Sequence, residues 1–373
     1  MKFSINRKYF FEKLNIVARA ISQFSPLPAL SGILIQVNSD SIVLTGSDSN
    51  VSIQSVITPG ELNNLVIEDT GSIIMESKYL LEIVRKIDSV LVQFEVIDFT
   101  LINISSENST FNINGVQANE YPSIDFQQPE QSFKIKAGDL KSIVSQTSFA
   151  CSDKDARPVL NGVNFKADGN TLYCSGTDTY RLAHKTISLL EPQYFNITIP
   201  DKSLQEVTKS LKDDEEWVNI FVDSKKAQFV FEQNLIQTRL LSGTFPDVER
   251  IIPTQFMSTL DIDSTEISHA IDRTNFIRSE KIHLVKLVCS EDEVRIKTNS
   301  EEIGNSDEIL ISAEYKGPEL TVSCNGSYML DAIRALGKSK IRFEFSGIMK
   351  PIKVSTSEDE SVVMVIVPVR SYD

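Results

Sequence analysis

Leu30-Ser31-Gly32 followed by Thr45-Gly46-Ser47-Asp48 is written again further along the chain, as Leu160-Asn161-Gly162 and Ser175-Gly176-Thr177-Asp178. Leu30, Gly32, Gly46 and Asp48 each recur 130 positions later, and Phe3-x-Ile5 recurs as Phe133-x-Ile135. So many matches at one ungapped offset identify an internal repeat. A fainter third copy begins at Leu260-x-Ile262.

In each copy the short alternating strand precedes a helical pattern. Phe10, Leu14, Val17 and Ile21 mark the first; Leu140, Ile143 and Val144 the second; Ile267, Ala270, Ile271 and Thr274 the third. Spacings of three and four put each set on one helix face. A second helix is predicted in every copy, over 77–87, 201–212 and 327–340, each after a strand-like run such as Ile73-Ile74-Met75. Short alternating runs separated by turn residues fill the rest, the pattern of antiparallel sheet. The expected fold is therefore α+β: three similar domains, each with two helices packed on antiparallel sheets. Prolines at Tyr121-Pro122 and Phe245-Pro246 place the expected domains at 1–126, 127–254 and 255–373. Periodicity alone fits an open tandem array as well as a closed ring.

The chain has 373 residues, 41% hydrophobic and 24% charged, a globular composition. Met1–Lys8 lacks the apolar run of a signal peptide, and no stretch of ~18 apolar residues occurs. Cys151, Cys174, Cys289 and Cys324 are scattered without a C-x-x-C pair, so reduced core cysteines in a cytoplasmic protein are expected. No phosphate-binding loop, H-E-x-x-H or G-x-S-x-G motif is present. His184, His269 and His283 are not spaced as a metal cluster. An enzyme is disfavoured.

The net charge of −14 argues against nucleic acid until its distribution is examined. The six predicted helices together carry +8, which leaves −22 for the remainder. Such segregation attracts a polyanion to one face and repels it elsewhere. Six helices side by side at about 10 Å spacing close a circle too narrow for a duplex, whereas twelve leave a bore of about 28 Å. A duplex about 20 Å wide fits that bore, so two chains would make one ring.

The opening Met1-Lys2-Phe3, Leu27-Pro28-x-Leu30, Thr177-Asp178-x-x-Arg181-Leu182-Ala183, Gly243-x-Phe245-Pro246-Asp247-x-x-Arg250 and Val363–Arg370 follow in an order that resembles the beta subunit of bacterial DNA polymerase III, the beta sliding clamp family, over the full length. The resemblance implies the DNA clamp fold in a ring-shaped head-to-tail homodimer, helices inside and sheets outside. It implies sequence-independent binding of double-stranded DNA, with neither catalysis, cofactor nor metal. Implied partners are the replicative DNA polymerase, the clamp loader and repair proteins, held through short linear peptides. The implied peptide pocket comprises Leu160, Thr177, Tyr180, Arg181, Leu182, Pro246, Arg250, Ile251, Val365, Ile366, Val367, Pro368, Val369 and Arg370. The residues taken to face DNA are Lys8, Lys13, Arg19, Lys78, Arg85, Arg157, Lys202, Lys209 and Arg334. Phe111, Phe276 and Ile277 align with the family's dimer seam. Thr179 and Tyr180 depart from the small residue and histidine common there, and Phe24, Pro158 and Val159 depart at two loops that touch DNA in the family.

Overall fold

The computed structural model describes residues 1–22, 27–153, 157–277, 283–300 and 302–370. Phe24 lies outside them. Six α-helices occur among the described residues: α1 (Arg7–Ala18), α2 (Ser77–Lys86), α3 (Ala137–Thr147), α4 (Asp201–Ser210), α5 (Ser264–Arg273) and α6 (Gly326–Leu336). Three of them start on a side chain that the sequence supplies just after a strand. Asn6 accepts from the Lys8 and Tyr9 amides, Asp263 from those of Thr265 and Glu266, and Asn325 from that of Ser327. Each such cap satisfies amides that the first turn leaves without partners.

Two compact units are present, one of residues 1–138 with 203–240, the other of 139–202 with 241–373. In the first, a five-stranded antiparallel sheet runs in the order Val66–Asp69, Lys2–Asn6, Leu91–Asp98, Leu101–Ser105, Thr110–Asn114. A nine-stranded sheet in the same unit joins the first repeat to the middle one, because Asn234–Arg239 pairs antiparallel with Val51–Ile57. Phe3 stacks on Phe94 at 5.0 Å, and Phe10 of α1 meets both edge-on. Burying a side chain of this size contributes about 1.5–3 kcal/mol.

The second unit repeats the arrangement. A seven-stranded sheet runs Gly162–Thr177, Arg181–Pro200, Val362–Ile366, Ile352–Thr356, Lys340–Phe345, Ser258–Asp263, Glu314–Lys316. It too joins two repeats, since Leu182 of the middle repeat stands opposite Val365 of the third. A four-stranded sheet holds Gly304–Leu310, Val294–Ser300, Leu284–Cys289 and Leu320–Asn325. Leu260, Ile267, Ile271, Leu287, Ile333 and Phe343 are among those that form its core. All four cysteines are buried and unbridged, and burial pushes the Cys289 and Cys324 thiols up to about 12.

The repeated motif has a physical cause. A Cβ at Gly46 would stand 2.7 Å from the Val17 carbonyl oxygen, and one at Gly176 would overlap that of Thr147, so each glycine lets a strand touch the end of a helix. Asp48 then accepts from the amides of Asn50 and Val51, and Asp178 from those of Tyr180 and Arg181. The same aspartate-closed turn is thus built twice.

The helices are shorter than predicted. Gly337, at φ 84°, ends α6, and Lys340 already belongs to the next strand. Arg19, Lys212 and Lys338 likewise fall beyond helix ends. Within the observed bounds the six helices carry +3, not the expected +8.

Candidate partner-binding site

Within the second unit, strand alternation sorts the pocket residues onto two faces. Leu182 and Val365 point to one side and join Val159, Leu160, Phe245 and Val248 in a small apolar cluster, with Val363 and Ile252 against it. Ile366 points to the other side, into the main core. Side chains of successive strand residues diverge in this way, so Ile366 supports the strand and offers a partner no surface. Leu160, Leu182 and Val365 are themselves buried, and they form the floor that holds segment 245–252 on the sheet.

Three connections leave the same end of this sheet. The turn Asp178–Tyr180 follows from the pairing of Thr177 with Leu182. The turn 346–351 follows from the pairing of Phe345 with Ile352, which itself stands opposite Ile366. Val367–Arg370 continues from Ile366, with the Val367 amide donating to the Tyr180 carbonyl at 2.9 Å and the Val369 amide to that of Ser323 at 2.8 Å. Tyr180 is 62% exposed here, and Ile251 is 42% exposed. Pro246, Val367 and Val369 are half-buried, Pro368 is buried, and Arg250 and Arg370 are exposed. Arg250 pairs with Asp247 at 2.8 Å.

Thr177 and Arg181 are committed internally. The Thr177 hydroxyl donates to the Arg181 carbonyl at 2.6 Å. Arg181 Nε donates to Asp178 at 3.0 Å and its Nη1 to Asp331 at 2.6 Å, while the guanidinium lies 4.4 Å from the Tyr328 ring and 5.4 Å from that of Phe149. Tyr328 and Asp331 of α6 were missed in the sequence, as were exposed Met257, Ile348 and Met349 near the same end. The apolar pair inside the turn Gly347-Ile348-Met349-Lys350 was a legible signal, since turns favour polar residues. A trough of about 600 Å³ opens elsewhere on the sheet. Its charges are largely paired, Arg342 with Asp261 at 2.7 Å, Lys340 with Glu314 at 3.0 Å and Lys353 with Glu344 at 2.8 Å.

The basic residues behave unequally. Lys8, Lys78, Arg157 and Lys202 are exposed. Arg85 pairs with Glu82, Arg19 and Lys209 with Glu206, and Arg334 with Asp272. Lys13 is buried, 3.3 Å from Glu232, and so is withdrawn from any DNA surface. At the candidate seam, half-buried Phe111 lies on the last strand of the five-stranded sheet. Phe276 is 68% exposed, but Ile277 is 3% exposed and packs into its own unit. The chain turns just after α5, and only one of two adjacent apolar residues can face outward.

Among the described residues no group of three metal-binding side chains converges, and no helix is long and apolar enough to cross a membrane. Family models match throughout: the DNA polymerase III beta subunit N-terminal domain over 1–125, its central domain over 134–247 and its C-terminal domain over 249–370. The chain is 36% identical to a beta sliding clamp of Bacillus subtilis and 34% identical to one of Staphylococcus aureus, with all of each chain covered. The crystal structure of the DNA polymerase sliding clamp from Bacillus subtilis superposes with a TM-score of 0.95 at 36% identity, again over both chains in full. With all three domains matched in order, the chain belongs to the DNA polymerase III beta subunit family, the beta sliding clamps.

Proposed function

We propose that this chain acts as a DNA sliding clamp, the non-catalytic processivity subunit of a replicative DNA polymerase, in the cytoplasm. The observation that carries this reading is the family match over the whole chain, domain by domain. Two copies join head to tail into a ring of six like domains around duplex DNA, with helices inward. Strands Thr110–Asn114 and Gly304–Leu310, each last in its sheet, supply open edges of the kind that pair between copies. Topology, not adhesion, holds the DNA. That agrees with helices of only +3, several of whose basic side chains are already paired. Contacts this sparse favour sliding and read no sequence. Short peptides of the polymerase, the clamp loader and repair proteins dock at the end of the seven-stranded sheet, where Tyr180, Ile251, Val367, Val369 and Arg370 reach solvent.

The test is retention. Loaded on closed circular DNA, the protein should survive salt that strips ordinary DNA binders, because losing phosphate contacts does not open a ring. Cutting the circle once should release it. Equal retention on circular and linear DNA overturns the reading.

A further inference from the structure

Behind segment 245–252 lies a buried titratable side chain that peptide docking does not use. His184 is two residues from Leu182 on the same strand, so both face that segment. Its strand neighbours are Ser175 on one side and Val363 on the other. Ser175 Oγ is 2.8 Å from His184 Nδ1, and the Tyr173 ring stacks on the imidazole at 5.8 Å. Val363 packs against the cluster that contains Phe245 and Val248, which seats the segment. Glu249 of that segment is held by Lys166 of the neighbouring strand at 2.9 Å.

We propose that the Ser175–His184 pair positions the wall of the peptide site: with a neutral ring segment 245–252 is seated, and protonating the ring unseats it, so acidification weakens peptide binding. This rests on the peptide reading above. The charged and titratable groups around the ring are Glu249 from the segment and Lys166 and Tyr173 from the adjacent strand, while the strand beyond presents Val363. Glu249 favours the imidazolium and Lys166 opposes it, but burial is the largest influence and holds the imidazole below its usual 6.5. Desolvation therefore outweighs the carboxylate, which Lys166 already occupies. The sign follows. The seated form prefers the neutral ring, so its advantage is complete above 6.5 and is lost as the pH falls below that value.

The experiment uses the full chain and a synthetic peptide with a glutamine and a leucine-phenylalanine anchor. Calorimetry gives the affinity against pH, and methyl and ring carbon spectra follow Val248 and His184. The wild type should bind about threefold or more weaker at about pH 5.5 than at about pH 7.5. His184→Gln, which keeps a polar group beside Ser175 without titrating, should be flat over the same range, and Val248 should titrate with the His184 ring. Should His184→Gln not fold, Ser175→Ala decides, because it removes one hydroxyl and should displace the midpoint. An unchanged pH profile in either variant, or Val248 methyls that ignore the ring, overturns the proposal. A wild type that binds no peptide at about pH 7.5 overturns the peptide reading and this proposal with it.

Discussion

Arg181 Nη1 meets Asp331 Oδ2 at 2.6 Å, fastening the turn of the middle repeat to α6 of the third. The guanidinium also holds Asp178 and covers the Tyr328 ring, so one side chain sets the mutual position of two repeats beside the candidate peptide site. Lysine carries the charge without the planar fork. Arg181→Lys should therefore cost about 1–2 kcal/mol, mostly from the lost second hydrogen bond and ring contact, since Asp331 is partly solvated. Calorimetric unfolding checks this, and an unchanged melting temperature would show the fork to be dispensable.

Thr179 occupies a left-handed conformation, φ 77°, at the tip of the Asp178–Tyr180 turn. A β-branched residue is strained there, whereas the turn itself is closed by Asp178 and the Thr177 hydroxyl. Thr179→Gly should stabilise the chain by about 0.5–1 kcal/mol, relief of strain exceeding the added freedom of the unfolded chain. Denaturant unfolding reads it directly, and a loss of stability would mean that the threonine side chain makes a compensating contact.

The two-repeat motif was legible because its causes are local: glycines that admit a helix end and an aspartate that closes a turn act within a few residues or one packing contact. Helix ends were less so. Lys338 and Lys340 read as helical, although Gly337 before them is a stop signal. The joining of repeats through Val51–Ile57 with Asn234–Arg239 was invisible, because strand pairing over that separation leaves no mark on either segment alone. At the site, alternation was enough to part Val365 from Ile366, yet the family pattern grouped them. The role of Arg181 as a fastener could not be read, since its partners Asp331 and Tyr328 are remote in sequence.

At the proposed seam two adjacent residues differ in exposure. Phe276 is exposed and Ile277 buried, so equal substitutions should fail differently. Phe276→Asp should leave a folded chain that sediments as a monomer, because it places a charge only where a second copy would dock. Ile277→Asp puts a carboxylate into the interior and should cost about 3 kcal/mol or more in folding itself. Sedimentation and thermal unfolding of both variants check this. Dimers of Phe276→Asp would place the seam elsewhere.

The tail offers a cleaner test of the peptide site than its floor does. Leu160, Leu182 and Val365 are buried together, so shortening any of them risks the fold before it reports on a ligand. Val369 is different. It is half-buried, lies beyond the last strand and is held by one backbone bond to Ser323. Removing residues 369–373 deletes Val369 and Arg370 while sparing all six helices and strand Thr110–Asn114. An anchored peptide of a few residues should bind in the micromolar range, about −8 kcal/mol, because it buries little area and must become ordered. Truncation should weaken it tenfold or more, about 1.4 kcal/mol, with the dimer retained. Calorimetry against the same peptide reads the first result and sedimentation the second. Undiminished affinity would remove the tail from the site, and loss of the dimer would carry the seam to the C-terminal segment.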